Sequence, residues 1–223
     1  MKLTQIIKEE YSDINSEKQR KIETTPNERV KLLLDIYLLW CSESDNIIPQ
    51  NVTFRVNPPP YEKMIMDFTE LKTRSVLYTK EDITTFSFLI QEINTVEHGR
   101  IGYFLSSLID THFLRKEQVA DESKTTSPYF ISTEGLEYFV GLGAYNKADI
   151  IVSGNGGEYL GIRMQCGSIT VHGTCGRAVG QDMCGGTIYL NGLFESYDWM
   201  RNGGEIHYQG KRLRDLWEIE KKK

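Results

Sequence analysis

Glycine is nearly missing from the first 134 of the 223 residues: Gly99 and Gly102 stand there, and the other 17 of the 19 lie between Gly135 and Gly210. Long apolar runs are missing altogether, and no stretch reaches the roughly 18 uncharged apolar residues that a membrane span requires. The N-terminus, Met-Lys-Leu-Thr-Gln, runs into polar sequence without the apolar core of a signal peptide. The chain therefore reads as a soluble cytoplasmic protein, with no membrane partner. Cysteine is too sparse for a secreted disulfide framework: Cys41, Cys166, Cys175 and Cys184 read as reduced thiols.

A broad basic face is also lacking. Residues 1–134 carry 16 Lys and Arg against 21 Asp and Glu, and residues 135–223 carry ten of each, so the net charge of −5 belongs to the first part. This balance argues against nucleic acid as a general partner and leaves open local contact within a ribonucleoprotein. No nucleophile elbow, phosphate-binding loop or paired zinc-ligand motif occurs. The four histidines do not cluster, and the spacing of nine between Cys166, Cys175 and Cys184 does not provide the close ligand pairs of structural zinc. Whether these cysteines hold anything stays open; the residues name no catalytic, cofactor-binding or metal site.

The change in glycine usage divides the chain into residues 1–128 and 129–223, with the polar stretch ADESKTTSP at 120–128 as a linker. In the first part, Thr25-Pro26-Asn27-Glu28 has the form of a helix start. The following VKLLLDIYLLWCS is so dense in apolar residues that it reads as buried on most sides. The segment NPPPY at 57–61 must be extended. MIMDFTELKTRSVLYT at 64–79 reads as one or two strands, Thr79-Lys80-Glu81-Asp82 as a second helix start, and HGRIGYFLSSLIDTHF as a further helix that pairs Asp110 with His112.

The second part repeats. DIIVSG, SITVHG, TIYLNG and EIHYQG end in Gly154, Gly173, Gly192 and Gly210, at intervals of 19, 19 and 18 residues. Strand-like alternation at a fixed period predicts a solenoid of stacked rungs. Ile150, Ile169, Ile188 and Ile206 form one inward stack, and Val152, Val171, Leu190 and Tyr208 the next; Leu160 stacks with Val179 and Met164 with Met183. Gly154, Gly157 and Gly161 recur as Gly173, Gly176 and Gly180. With Gly192 they read as corner residues that take a positive φ or lie where a Cβ would meet the next rung, because a phosphate loop is not copied every turn.

The pattern Gly154-x-x-Gly157-x-x-x-Gly161-x-x-Met164-x-Cys166-Gly167-x-Ile169-x-Val171-x-Gly173, repeated from Gly173 to Gly192, resembles the GXGXG domain over residues 148–210. That domain is the C-terminal right-handed β-helix of glutamate synthase and the C subunit of formylmethanofuran dehydrogenase. The resemblance implies a right-handed parallel β-helix with a structural, domain-bridging role, the redox chemistry of those families lying in other domains. None of their catalytic parts is recognised here: no cysteine follows the initiator Met, and no cysteine cluster has iron–sulfur spacing.

The expected fold is α+β, with a mainly helical N-terminal domain followed by a short right-handed parallel β-helix. KRLRDLWEIE, with Leu213, Leu216, Trp217 and Ile219, is the expected cap of its C-terminal end. After TIYLNG, Glu195 and Trp199 replace corner glycines and one residue is lost. Tyr189, Phe194, Tyr197 and Trp199 then fall at outward or irregular positions, where tyrosine and tryptophan act as interface anchors. The expected function is a non-catalytic assembly or interaction protein that docks on or bridges a larger complex and self-associates. The alternatives are an accessory subunit of a glutamate synthase-like or formylmethanofuran dehydrogenase-like redox complex, and a metabolite-binding regulator. The expected partners are other protein subunits; no cofactor is implied.

Overall fold

The computed structural model describes residues 26–44, 67, 69–70, 72–73, 76–93, 100–117, 127–136, 139–197 and 203–213. Thr25, the proline run, nearly all of the linker, Trp199 and residues 214–223, with Leu216, Trp217 and Ile219 of the expected cap, lie outside them. The fold is α+β: among the described residues, α1 (Pro26–Ser44), α2 (Lys80–Leu89) and α3 (Ile101–Glu117) precede a six-stranded sheet. The strands are β1 (Tyr129–Thr133), β2 (Asp149–Gly154), β3 (Ser168–Val171), β4 (Thr187–Leu190), β5 (Glu205–Tyr208) and β6 (Lys211–Arg212), ordered as in the sequence. Five strands pair in parallel as successive rungs of a solenoid of about four turns. No helix among the described residues is long and apolar enough to cross a membrane.

The register follows from the alternation. Ile150, Ile169, Ile188 and Ile206 stand over one another, as do Val152, Val171, Leu190 and Tyr208. The four isoleucines are all but fully buried, each burial being worth about 1.5–3 kcal/mol. Leu160, Val179, Met164 and Met183 fill the same interior. One rung precedes those marked by glycine: β1 pairs with β2 through Tyr129↔Ile150, Ile131↔Val152 and Thr133↔Gly154.

The corners repeat as well. In each, two consecutive β-turns close through Ala144 N→Gly141 O and Asn146 N→Gly143 O in the β1 rung, and Ile162 N→Tyr159 O and Met164 N→Gly161 O in the next. Gln181 N→Ala178 O and Met183 N→Gly180 O complete the series. The third residue of every such turn is left-handed: Gly143, Gly161 and Gly180 in the first turns, Tyr145, Arg163 and Asp182 in the second.

The helices close the N-terminal end of the cylinder. α2 starts with a full capping box, Asp82 N donating to Thr79 Oγ1 and Thr79 N to Asp82 Oδ2. Its Ile83 and Phe86, with Ile90 of the 3-10 turn Ile90–Glu92 that follows, join Tyr37, Trp40 and Phe104 in an aromatic-rich helical core. Its other face meets the free edge of β1. Thr84 Oγ1 donates to Phe130 O at 2.8 Å, Ser132 N to Ser87 Oγ at 3.0 Å, Gln91 Nε2 to Ser132 O at 3.0 Å and Gly135 N to Gln91 Oε1 at 2.7 Å. Side chains spaced at 84, 87 and 91 thus take the hydrogen bonds that a further strand would have taken. On α3, Ser106 Oγ accepts from Gly143 N at 2.8 Å, and Gly102 lies so close that a Cβ would overlap Val140 O. This approach of helix to corner accounts for one of the two early glycines. One buried core runs from the helices into the solenoid.

Two expectations are corrected. α1 buries Val30, Leu33, Tyr37 and Trp40, but Leu32, Leu38 and Leu39 are exposed, so it buries one side rather than most sides. Within 64–79, Asp67, Thr69, Glu70, Lys72 and Thr73 are helical, not strand. Thr69 and Thr73, four apart, are both fully buried, and Thr73 Oγ1 donates to Thr69 O at 2.8 Å, which is helical spacing. At the C-terminus, Lys211–Arg212 turns back antiparallel on β5, pairing His207↔Arg212 and Tyr208↔Lys211, and the buried Leu213 of the expected cap follows directly.

Candidate functional site

The outer face of the sheet carries the side chains that alternation turns away from the core. Phe130, Ile151, Thr170, Tyr189 and His207 share one ladder across the five parallel strands. Beside it, Asn191 Nδ2 lies 3.2 Å from His172 Nδ1 on the next rung. Tyr189 is 40% exposed, and its ring lies tilted on that of His207 at 5.3 Å. His207 Nε2 is 3.0 Å from Glu205 Oε2, and Arg212 Nη2 is 2.9 Å from Glu205 Oε1, so an ionic cluster borders the tyrosine.

The corner after β4 carries the other exposed apolar side chain of this rung. Leu193 is 70% exposed, the most exposed of the large apolar side chains among the described residues. Its backbone is fixed all the same, because Leu193 O accepts from Cys175 N at 2.8 Å and Phe194 bridges to Cys175. The half-buried Phe194 stands edge-on to Tyr208 at 5.3 Å and to Tyr197 at 6.1 Å. Tyr197 in turn bridges to Val179, while Val179 N donates to Ser196 O at 3.1 Å. Between the Cys175↔Phe194 and Val179↔Tyr197 bridges the chain drops one residue and stays hydrogen-bonded to the rung beneath. Three of the expected anchors, Tyr189, Phe194 and Tyr197, thus sit on or beside the β4 rung, and the fourth, Trp199, lies outside the described residues. The expected anchors are all aromatic and do not include Leu193, whose signal in the sequence is an apolar residue directly after Gly192.

The corner glycines divide into two kinds. Gly154, Gly157, Gly161 and Gly180 have φ of +109°, +71°, +66° and +70°. Gly173, Gly176 and Gly192 are not left-handed; they are places of close approach, a Cβ on Gly173 overlapping Gly154 O and one on Gly192 overlapping Gly173 O. Rungs stacked at the sheet spacing of about 4.8 Å leave no room there for a side chain. A Cβ on Gly176 would meet Glu158, at 2.8 Å from its Cγ and 3.3 Å from its Cα.

The cysteines separate by burial. Cys41 and Cys175 are buried, Cys166 and Cys184 exposed. Burial pushes the Cys175 thiol up to about 12, against the nearby backbone of Gly156. His112 meets Tyr129, with Nδ1 2.8 Å from the hydroxyl oxygen, and Asp110 meets Lys147 at 3.9 Å, so both residues of the expected helical pair reach into the solenoid. No group of three or more His, Cys, Asp or Glu placed to hold a metal ion occurs among the described residues.

Comparison of the chain with protein-family models, curated proteins and solved structures finds no match.

Proposed function

We propose that the chain is a non-catalytic, cytoplasmic assembly or interaction protein that docks on a larger complex or bridges its parts, with the solenoid as a rigid platform and the β4 rung as its contact face. One observation carries this reading: Leu193 and Tyr189, 70% and 40% exposed, project from backbone already held in the rung ladder. An apolar or aromatic side chain on ordered backbone loses little conformational freedom on binding, and tyrosine in a buried contact is a frequent anchor. Phe194, Tyr197 and Tyr208 form the semi-buried floor beside it.

The repeated glycine pattern at 154–192 supports a narrower form of the same reading. It resembles the GXGXG β-helix, whose role in glutamate synthase and formylmethanofuran dehydrogenase C is structural and bridging; an accessory subunit of a complex of that kind would use this fold in the same way. Other protein subunits are the expected partners, and self-association would use the same face.

The test compares the native size of the wild-type chain with that of a Tyr189→Asp/Leu193→Asp variant in gentle extracts of its own cells, with mass spectrometry of the co-eluting proteins. The proposal expects the wild type in a large assembly and the variant released from it, with Tm unchanged because both side chains are exposed. Elution of the wild type alone as a monomer would overturn it.

A further inference from the structure

Three further features invite a chemical use: the left-handed series Tyr145, Arg163 and Asp182, the Glu205–His207–Arg212 cluster beside Tyr189, and the two exposed thiols. The first is accounted for by its own neighbours, Arg163 Nη1 donating to Tyr145 Oη at 2.7 Å and Arg163 Nε lying 3.7 Å from Asp182 Oδ2. In the second, the Glu205 carboxylate already meets both the His207 ring nitrogen and the Arg212 guanidinium. The thiols remain.

The solenoid register brings them together. Gln165 N and Cys166 N both donate to Asn146 O; one rung on, Cys184 N and Gly185 N both donate to Met164 O. Cys184 therefore stacks over Gln165, and Gly185 over Cys166. A rung spacing of about 4.8 Å combined with a residue step of about 3.8 Å places the two cysteine Cα atoms about 6 Å apart on the diagonal, within the roughly 4.4–6.8 Å spanned by disulfides. Gly185, directly above Cys166, carries no side chain to stand between them. Both thiols face solvent, each with one weak contact: Cys166 Sγ donates to Lys147 O at 3.6 Å and Cys184 Sγ to Asp182 O at 3.5 Å.

We propose that Cys166 and Cys184 form a reversible disulfide across neighbouring rungs, closing one full turn of the solenoid into a covalent ring. The oxidant is a small-molecule disulfide such as oxidised glutathione. One cysteine thiolate attacks it, forming a mixed disulfide and releasing one glutathione thiolate. The second cysteine thiolate then attacks the protein sulfur of that mixed disulfide and releases the second glutathione. The two cysteine thiols lose two protons and two electrons in all, and the oxidant is reduced to two thiols. Cys175 and Cys41 stay out of the exchange: both are buried, and the raised pKa of Cys175 keeps it protonated. The ring ties the β3 rung to the start of the β4 rung, so the bond holds the platform against unwinding; this inference does not depend on the docking reading.

The test equilibrates the full-length reduced protein with oxidised glutathione and follows intact mass, non-reduced peptide maps and Tm. The expected result is a product lighter by two hydrogens, with residues 166 and 184 in one linked peptide and a Tm that rises by several degrees and returns with reductant. Cys184→Ser should instead stop at the glutathione adduct of Cys166, with no rise in Tm. Wild-type protein carrying two glutathiones and no linked peptide would overturn the inference, as would a link that involves Cys175 or joins two chains. Because both positions are exposed, the serine variants fold, and their own Tm in reductant verifies it.

Discussion

The amide of Ser132 in β1 donates to the hydroxyl oxygen of Ser87 in α2 at 3.0 Å, in a buried setting. A helix side chain here does the work of a missing strand, and through it the open end of the solenoid is closed. Ser87→Ala leaves that buried N–H without its partner and should cost about 1–3 kcal/mol. Thr84→Val, which removes a more exposed bond to Phe130 O, should cost less. Denaturant melts of the two variants check the order; a neutral Ser87→Ala would mean that the edge of β1 does not depend on α2.

The two kinds of glycine predict two sizes of effect. Gly173→Ala pushes a Cβ into the carbonyl of Gly154, backbone that cannot move aside, and should cost about 3 kcal/mol. Gly210 has φ +77° and open space around it, so Gly210→Ala should show only left-handed strain, about 1–2 kcal/mol. Thermal melts that ranked the two the other way would contradict the stacked register.

Alkaline pH should loosen the fold. Burial raises the Tyr78 hydroxyl to about 12 from an ordinary value of 10.0 and the Cys175 thiol to about 12 from 9.0, and it raises Tyr129 as well. These groups are neutral when protonated, and their folded pKa values lie above the unfolded ones. Their contribution is therefore complete below about pH 9 and is lost as pH rises toward about 12. Tyr78→Phe should be less stable at neutral pH, having lost the bond to Leu108 O, and its stability should fall less steeply above about pH 10. Identical slopes for variant and wild type would show that Tyr78 does not hold its proton on folding.

The legible part of the fold was the part that repeats. Gly154, Gly173, Gly192 and Gly210 closed alternating stretches at one period, and the stacks of Ile150, Val152 and their successors followed from strand geometry. The β1 rung escaped because Thr133 stands in register with Gly154 and its spacing is 21 residues. There Thr133 Oγ1 donates to Asn155 O at 2.6 Å. The corner Gly141-Leu142-Gly143 marks this rung, and there Gly143 N donates to Ser106 Oγ of α3 where the later corners donate to the rung beneath. The capping box at Thr79 was legible because capping is local chemistry. The side of α1 that faces the core was not, because Leu32, Leu38 and Leu39 are as apolar as the residues it buries. At the candidate face, Tyr189 and Phe194 were legible as aromatics in outward or irregular positions. Leu193 was not, because only the fold shows that its backbone is pinned while its side chain is free.

The most direct test of the account places a photo-crosslinking amino acid at position 193 or, separately, at exposed position 165 on the opposite side of the strands, in the chain within its own cells. The account predicts that position 193 captures one discrete partner, or a second copy of the chain, and that position 165 captures neither. Equal capture from both positions, or none from 193, would contradict the β4 rung as the contact face.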